Sequence, residues 1–208
     1  IIDTDIHPSV NPERMPDFLP EPWRSRYLSG SRGPGVLGYW NPAGVVRADS
    51  VTLDGDRISM DPALLGRHYF DAYDIDYGVL NFEGAIHVGV GPEPDYAAAV
   101  ISAINDVAAN DWLPADPRFR ASLNVAPNDP VLAAREIHRL GDHPGFVQVM
   151  MGSGARIPYG QRYYHPIYEA AVAHDLPVAI HPGNEGVGIT GPTSAVGYAT
   201  SYLEWHTG

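Results

Sequence analysis

The residues most able to do chemistry sit at the ends of two short apolar segments. Asp3, Asp5 and His7 follow one another at steps of two near the start of the chain. A strand sends alternate side chains to one face, so this spacing predicts three polar groups pointing the same way. The second segment, Pro177-Val178-Ala179-Ile180-His181, also ends in histidine and runs into Pro182-Gly183-Asn184-Glu185-Gly186. Two neutral imidazoles and a carboxylate at the carboxyl ends of different strands can converge on one divalent ion, with zinc first and manganese or iron as alternatives. A plain hydrogen-bonded Asp–His pair that orders the strand end is the other reading of the first segment.

Absences narrow the chemistry further. The chain has no cysteine, and its thirteen basic residues are all arginine. Sulfur-ligated metal sites, thiolate nucleophiles, Schiff-base lysines and a P-loop lysine are therefore excluded. Gly89-Val90-Gly91 and Gly152-Ser153-Gly154 lack the spacing of a dinucleotide fingerprint, and there is no Gly-x-Ser-x-Gly elbow. A net charge of -12 opposes binding to nucleic acid or to anionic membranes. No apolar run approaches the roughly 18 residues of a membrane span. The expected partner is a small molecule and the expected compartment the cytoplasm; a homo-oligomer is left open.

These residues need a scaffold, and the sequence describes one. Short Val, Ile and Leu-rich runs at Ile1 to Ile6, Tyr77 to Phe82, Arg120 to Val125, Phe146 to Met151 and Pro177 to His181 read as buried parallel strands. Between them, Asp61-Pro62, Asp129-Pro130 and His165-Pro166 mark helix starts. Apolar residues from Asp95 to Leu113 recur at three- and four-residue steps, which predicts a helix laid on a sheet. Gly141 is expected to close the helix after Asp129 in a left-handed conformation. His138 and His174 are expected on solvated helix faces, and His143 in a turn.

Alternating strands and helices make an α/β sheet, either open and doubly wound or closed as a (β/α)8 TIM-like barrel. Five strands in 208 residues are too few for a closed barrel of roughly 250 residues. The barrel reading therefore takes residues 1–208 as one domain holding about five N-terminal βα units and incomplete at its C-terminus. Residues 8–59, dense in Pro, Gly, Arg and Trp, are an insertion or cap after the first strand.

Three segments together resemble a known family: Asp5-Ile6-His7, the helix Tyr164-His165-Pro166-Ile167-Tyr168-Glu169-Ala170-Ala171, and Leu176-Pro177-Val178-Ala179-Ile180-His181-Pro182-Gly183. Their order and spacing are similar to the amidohydrolase-related family, in the branch that includes aminocarboxymuconate-semialdehyde decarboxylase. The resemblance implies a distorted (β/α)8 barrel with one divalent metal at its rim. His7 matches the first histidine of the family's Asp-x-His-x-His strand, and His181 the histidine closing the fifth strand. Ser9 stands where the second histidine is expected, a departure that weakens metal affinity or transfers a ligand role to Asp5. The family's residues on the sixth and eighth strands have no counterpart before the chain ends.

The implied activity is hydrolysis or non-oxidative decarboxylation of a small carbonyl or aromatic carboxylic acid through a metal-activated water. Asp5, His7 and His181 would be metal ligands and catalytic residues. Arg156, His87 and Asn184 are candidate substrate contacts, with Arg47 and Arg57 as further arginines able to anchor a carboxylate. The competing reading is a metal-free barrel paralogue acting as a ligand-binding or regulatory protein.

Overall fold

The computed structural model describes residues 1–30 and 50–181. Its centre is a five-stranded parallel sheet: β1 (Ile2–Ile6), β2 (Tyr77–Leu80), β3 (Phe119–Asn124), β4 (Phe146–Gly152) and β5 (Val178–His181). The strands lie in the order β1-β2-β3-β4-β5. A doubly wound sheet reverses direction at a switch point, and this one does not. Consecutive order with every crossover in one sense is the wall of a barrel, here a curled half.

Helices form after Asp61, near Asp95, after Asp129 and at His165 as expected, and in three further places. After α1 (Met15–Phe18) and α2 (Trp23–Leu28) comes α3 (Pro62–Leu65), which widens into a π-helical turn over Gly66–Phe70. Next are α4 (Glu83–Gly89), α5 (Pro94–Val107), α6 (Pro130–Leu140) and α7 (His165–Ala173). Asp61 caps α3 by accepting from the Leu64 N–H at 2.9 Å, and Asp129 caps α6 by accepting from Val131 and Leu132. His165-Pro166 opens α7 without a side-chain cap. The helix expected to Leu113 is α-helical only to Val107, then continues as a π-helical turn to Trp112. No helix among the described residues is long and apolar enough to cross a membrane.

Two expectations are corrected. Gly141 is right-handed, with φ -62° and ψ -24°. It must be glycine because a Cβ there would lie 2.5 Å from His174 Cγ and 2.6 Å from the Ile137 carbonyl oxygen. That same contact accounts for His174, whose side chain is only 11% exposed. Its Nδ1 pairs with Asp142 at 2.7 Å and its Nε2 with His138 Nδ1 at 3.0 Å. His174 thus joins the ends of α6 and α7 instead of facing solvent.

The core fills the space between sheet and helices. Leu80, Phe119, Ala121, Leu123 and Val149 from the strands meet Phe70, Ile101, Ile104, Trp112, Ile137 and Ile167, all nearly inaccessible. Burial of such side chains contributes about 1.5–3 kcal/mol each. The described part of the insertion packs on α5: Met15, Leu19 and Tyr27 are buried. Arg14 pairs with Asp111, and Arg26 pairs with Glu93 while lying 4.1 Å from the Tyr96 ring centre.

Before β3, Asp116 accepts from the Arg118 backbone N–H, Nε and Nη2, and Arg118 also pairs with Asp71 at 2.8 Å. The guanidinium holds the Asp116 carboxyl below its ordinary value, against the opposing effect of burial. Asp116→Asn is expected to cost about 1 kcal/mol near neutral pH, the value of a charged hydrogen bond discounted for solvent screening. A carboxyl depressed in the folded state stabilises above its unfolded value, about 3.9, and loses that contribution as pH falls through the lower folded value. Urea unfolding at a series of pH values checks this: the gap between wild type and Asp116→Asn should be full above about pH 5 and vanish in stronger acid.

Candidate metal centre

β1 and β5 lie on opposite edges of the described sheet. The curl of the wall brings their carboxyl ends together. Asp5 Oδ1 is 3.2 Å from His7 Nε2 and 3.1 Å from His181 Nε2. One ligand atom from each residue lies within 4.8 Å of the others. The two imidazoles meet edge to face, with ring centres 4.8 Å apart. Their side chains are 34% and 17% exposed for His7 and His181, and Asp5 is 60% exposed on the open side.

The local reason is an irregular β1. Its pairing with β2 shifts register between Asp3 and Ile6. Asp3 Oδ1 accepts from the Asp5 N–H at 3.0 Å, and Asp3 Oδ2 accepts from the Tyr69 hydroxyl at 2.6 Å. Asp3 therefore does not join the cluster that strict alternation predicts, because its carboxylate shapes the bend. Ile6 is buried in the core, and its neighbours on either side, Asp5 and His7, come together at the rim.

The electrostatics favour an anionic carboxylate between the rings. Burial acts to raise the Asp5 carboxyl, but the Asn81 amide and the two imidazoles outweigh it and hold Asp5 below its ordinary value. His7 Nδ1 is buried with no hydrogen-bond partner among the described residues. Two nitrogens and a carboxylate oxygen from two rigid strands are a donor set suited to zinc, manganese or iron. Three protein ligands with an open side is the pattern of a catalytic site, not of a closed structural one.

A cavity of about 320 Å³ adjoins this cluster, lined by Asp3, Asp5, His7, Ile58, Tyr69 and Tyr73, with Ser50 and Ser59 from the insertion. Ser9 donates its backbone N–H to the Ser59 carbonyl at 2.7 Å and lines a different cavity. His87 lines that second cavity too, with Glu83, Met15 and Tyr27. Arg156 donates to the Pro92 carbonyl at 3.1 Å. Its loop is pinned by Tyr159, Tyr164 and Tyr168, whose hydroxyls donate to the carbonyls of Gly152, Ile157 and Tyr159. Arg57 is exposed. Asn184 and Arg47 lie outside the described residues.

Sequence reasoning missed Asn81. It follows β2, is 1% exposed, and donates from Nδ2 to Asp5 Oδ1 at 2.8 Å. A polar residue ending an apolar strand, the signal that identified His7 and His181, was present there too.

With this geometry in place, comparison with known proteins is informative. The amidohydrolase family pattern matches residues 2–206. The chain belongs to the amidohydrolase family. Among curated proteins, the gamma-resorcylate decarboxylase of Polaromonas sp. is 32% identical over 87 residues, covering 38% of this chain and 27% of that protein. Among solved structures, the 5-carboxyvanillate decarboxylase of Novosphingobium aromaticivorans, with bound manganese and 3-methoxy-4-hydroxy-5-nitrobenzoic acid, is 26% identical. It matches 88% of this amidohydrolase chain and 50% of its own, with a TM-score of 0.63. The 2,6-dihydroxybenzoate decarboxylase from Rhizobium, at 19% identity and a TM-score of 0.55, shares the fold and covers 88% of this chain and 49% of its own. The chain thus spans about half the length of the solved relatives it matches.

Proposed function

We propose that this chain carries the metal-binding half of the active site of a non-oxidative decarboxylase for small aromatic carboxylic acids. The observation that carries the reading is the convergence of Asp5, His7 and His181 at the edge of a cavity faced by Tyr69 and Tyr73. A flat ring suits the apolar and aromatic lining, since offset aromatic contacts add to simple burial. The similar decarboxylases support the reaction class, and the manganese in one of them makes that ion the first to test, ahead of zinc.

Asp5, His7 and His181 would hold one divalent cation, which when bound polarises a substrate oxygen or lowers the pKa of a water. Asp5 supplies the negative charge, and its depressed pKa keeps it ionised near neutral pH. His181 and His7 would present Nε2 to the cation from opposite edges of the half-barrel. Tyr69 is held by Asp3 and stands as one wall for the ring. The net change is loss of carbon dioxide and gain of one proton at the carbon that bore the carboxylate. Arg156, His87 and Asn184 remain proposed substrate contacts.

The test is carbon dioxide release by the full-length protein loaded with manganese, offered ortho-hydroxylated benzoates such as 2,6-dihydroxybenzoate and 5-carboxyvanillate, beside aryl esters and amides. Decarboxylation of at least one acid, lost on chelation, is the expected result. Hydrolysis of the esters or amides with no carbon dioxide from any acid would replace the decarboxylase reading with a hydrolase.

A further inference from the structure

We propose that Asn81, Ser122 and Gln148 form a positioning chain that aims Asp5 at the cation and sets how tightly the cation is held. The inference rests on the reading of Asp5, His7 and His181 as ligands.

The chain crosses four strands in one direction. Gln148 on β4 donates from Nε2 to Ser122 Oγ at 2.8 Å. Ser122 on β3 donates its hydroxyl to Asn81 Oδ1 at 2.5 Å. Asn81, just past β2, gives its two amide hydrogens to the Thr4 carbonyl at 3.1 Å and to Asp5 Oδ1 at 2.8 Å on β1. Its backbone N–H donates to the Ile6 carbonyl at 2.7 Å. Ser122 is wholly inaccessible and Asn81 is 1% exposed, so the middle of the chain is shielded from water.

Direction is enforced at both ends. With Gln148 donating to Ser122 Oγ, the serine hydrogen is free to point to Asn81. A reversed Asn81 amide would set its oxygen against the Thr4 carbonyl and the Asp5 carboxylate, both acceptors. The donor that reaches Asp5 is therefore always N–H, and it is neutral. A guanidinium in its place would cancel the charge that attracts a cation, whereas an amide fixes the carboxylate and leaves the charge intact. The Asn81 bond takes one of the four lone-pair sites of the carboxylate, and the imidazoles and the ion draw on the rest. Partners that orient metal ligands in this way typically change metal affinity by about 10- to 100-fold when removed.

The measurement is the dissociation constant for manganese on the full-length protein, by competition with a fluorescent chelator, together with the melting temperature of each metal-free variant. Asn81→Leu is expected to weaken manganese by about 10- to 100-fold. Ser122→Ala should act in the same direction by a smaller factor, and Ser122→Thr, which keeps the hydroxyl, should bind nearly as the wild type does. A merely structural network would lower melting temperatures and leave manganese affinity alone. If Asn81→Leu fails to fold, the Ser122 pair decides. Should Asp5→Asn lose manganese while Asn81→Leu and Ser122→Ala keep it, the positioning chain is wrong and the metal centre stands. Unaltered manganese binding in Asp5→Asn would overturn the metal centre and the chain with it.

Discussion

Replacing His181 by alanine should remove manganese binding from the full-length protein, and the proposed decarboxylase activity with it. A loss of affinity exceeding about 100-fold is expected, because a ligand is more than the supporting partner whose removal costs 10- to 100-fold. The fold should persist. His181 ends the edge strand β5 and bonds Asp5 through Nε2, so loss of that bond costs the metal-free variant about 0.5–1.5 kcal/mol. At roughly 2–4 °C per kcal/mol for a chain this size, its melting temperature falls by no more than about 6 °C. Wild type should gain stability on adding manganese, since an ion bound only by the folded state shifts unfolding by mass action. His181→Ala should gain none. His138→Ala is the control: that imidazole pairs with His174 between α6 and α7, and its loss should leave manganese affinity as it was. If His181→Ala still binds one manganese per chain with wild-type affinity, the assignment of His181 as a ligand is wrong.

Why His181 was legible in the sequence, and Asn81 was not, follows from what a strand pattern encodes. All five strands stand out because buried parallel strands are continuous apolar runs, and their ends are where polar residues meet water or a partner. His7 and His181 are conspicuous in that setting because imidazole is a metal ligand by type. Asn81 occupies the same kind of position, but an amide is ordinary at strand ends and acquires meaning only from its neighbours in space. Ser122 and Gln148 are invisible for the same reason: their role depends on the register of β2, β3 and β4. Asp3 illustrates the opposite failure, where regular alternation placed it in the cluster and a register shift, held by its own carboxylate, took it out. Gly141 was read through the commonest reason for glycine at a helix end, backbone handedness. The structure shows the other reason, the approach of His174, which no local pattern records.

Gly78→Ala should damage both the fold and the metal centre, although it adds a single methyl group far down β2. A Cβ at Gly78 would lie 2.4 Å from Ile6 Cδ1 and 2.4 Å from Phe70 Cζ. The Phe70 ring is hemmed in, and Ile6 Cδ1 can turn only toward the cavity that Ile6 lines. Phe70 is wholly buried, packs edge-on against Phe119 with ring centres 4.9 Å apart, and has the Arg118 guanidinium 5.2 Å from its ring centre. Ile6 is 7% exposed and lies between Asp5 and His7. Overpacking of this kind costs about 1–3 kcal/mol, which corresponds to a fall in melting temperature of about 2–12 °C. The functional consequence comes from Ile6. Where the displaced Ile6 side chain carries β1 with it, Asp5 and His7 shift from His181, and a misplacement of about 1 Å can cost 100-fold in rate. Thermal unfolding and manganese titration of Gly78→Ala therefore should change together. Phe70→Leu combined with Gly78→Ala makes room for the added methyl, and the double variant should recover part of the manganese affinity that the single glycine change loses. Non-additivity of that sign is what contact between the two sites predicts. A Gly78→Ala protein that melts and binds manganese as the wild type does would show that β1 is not held in place through Ile6.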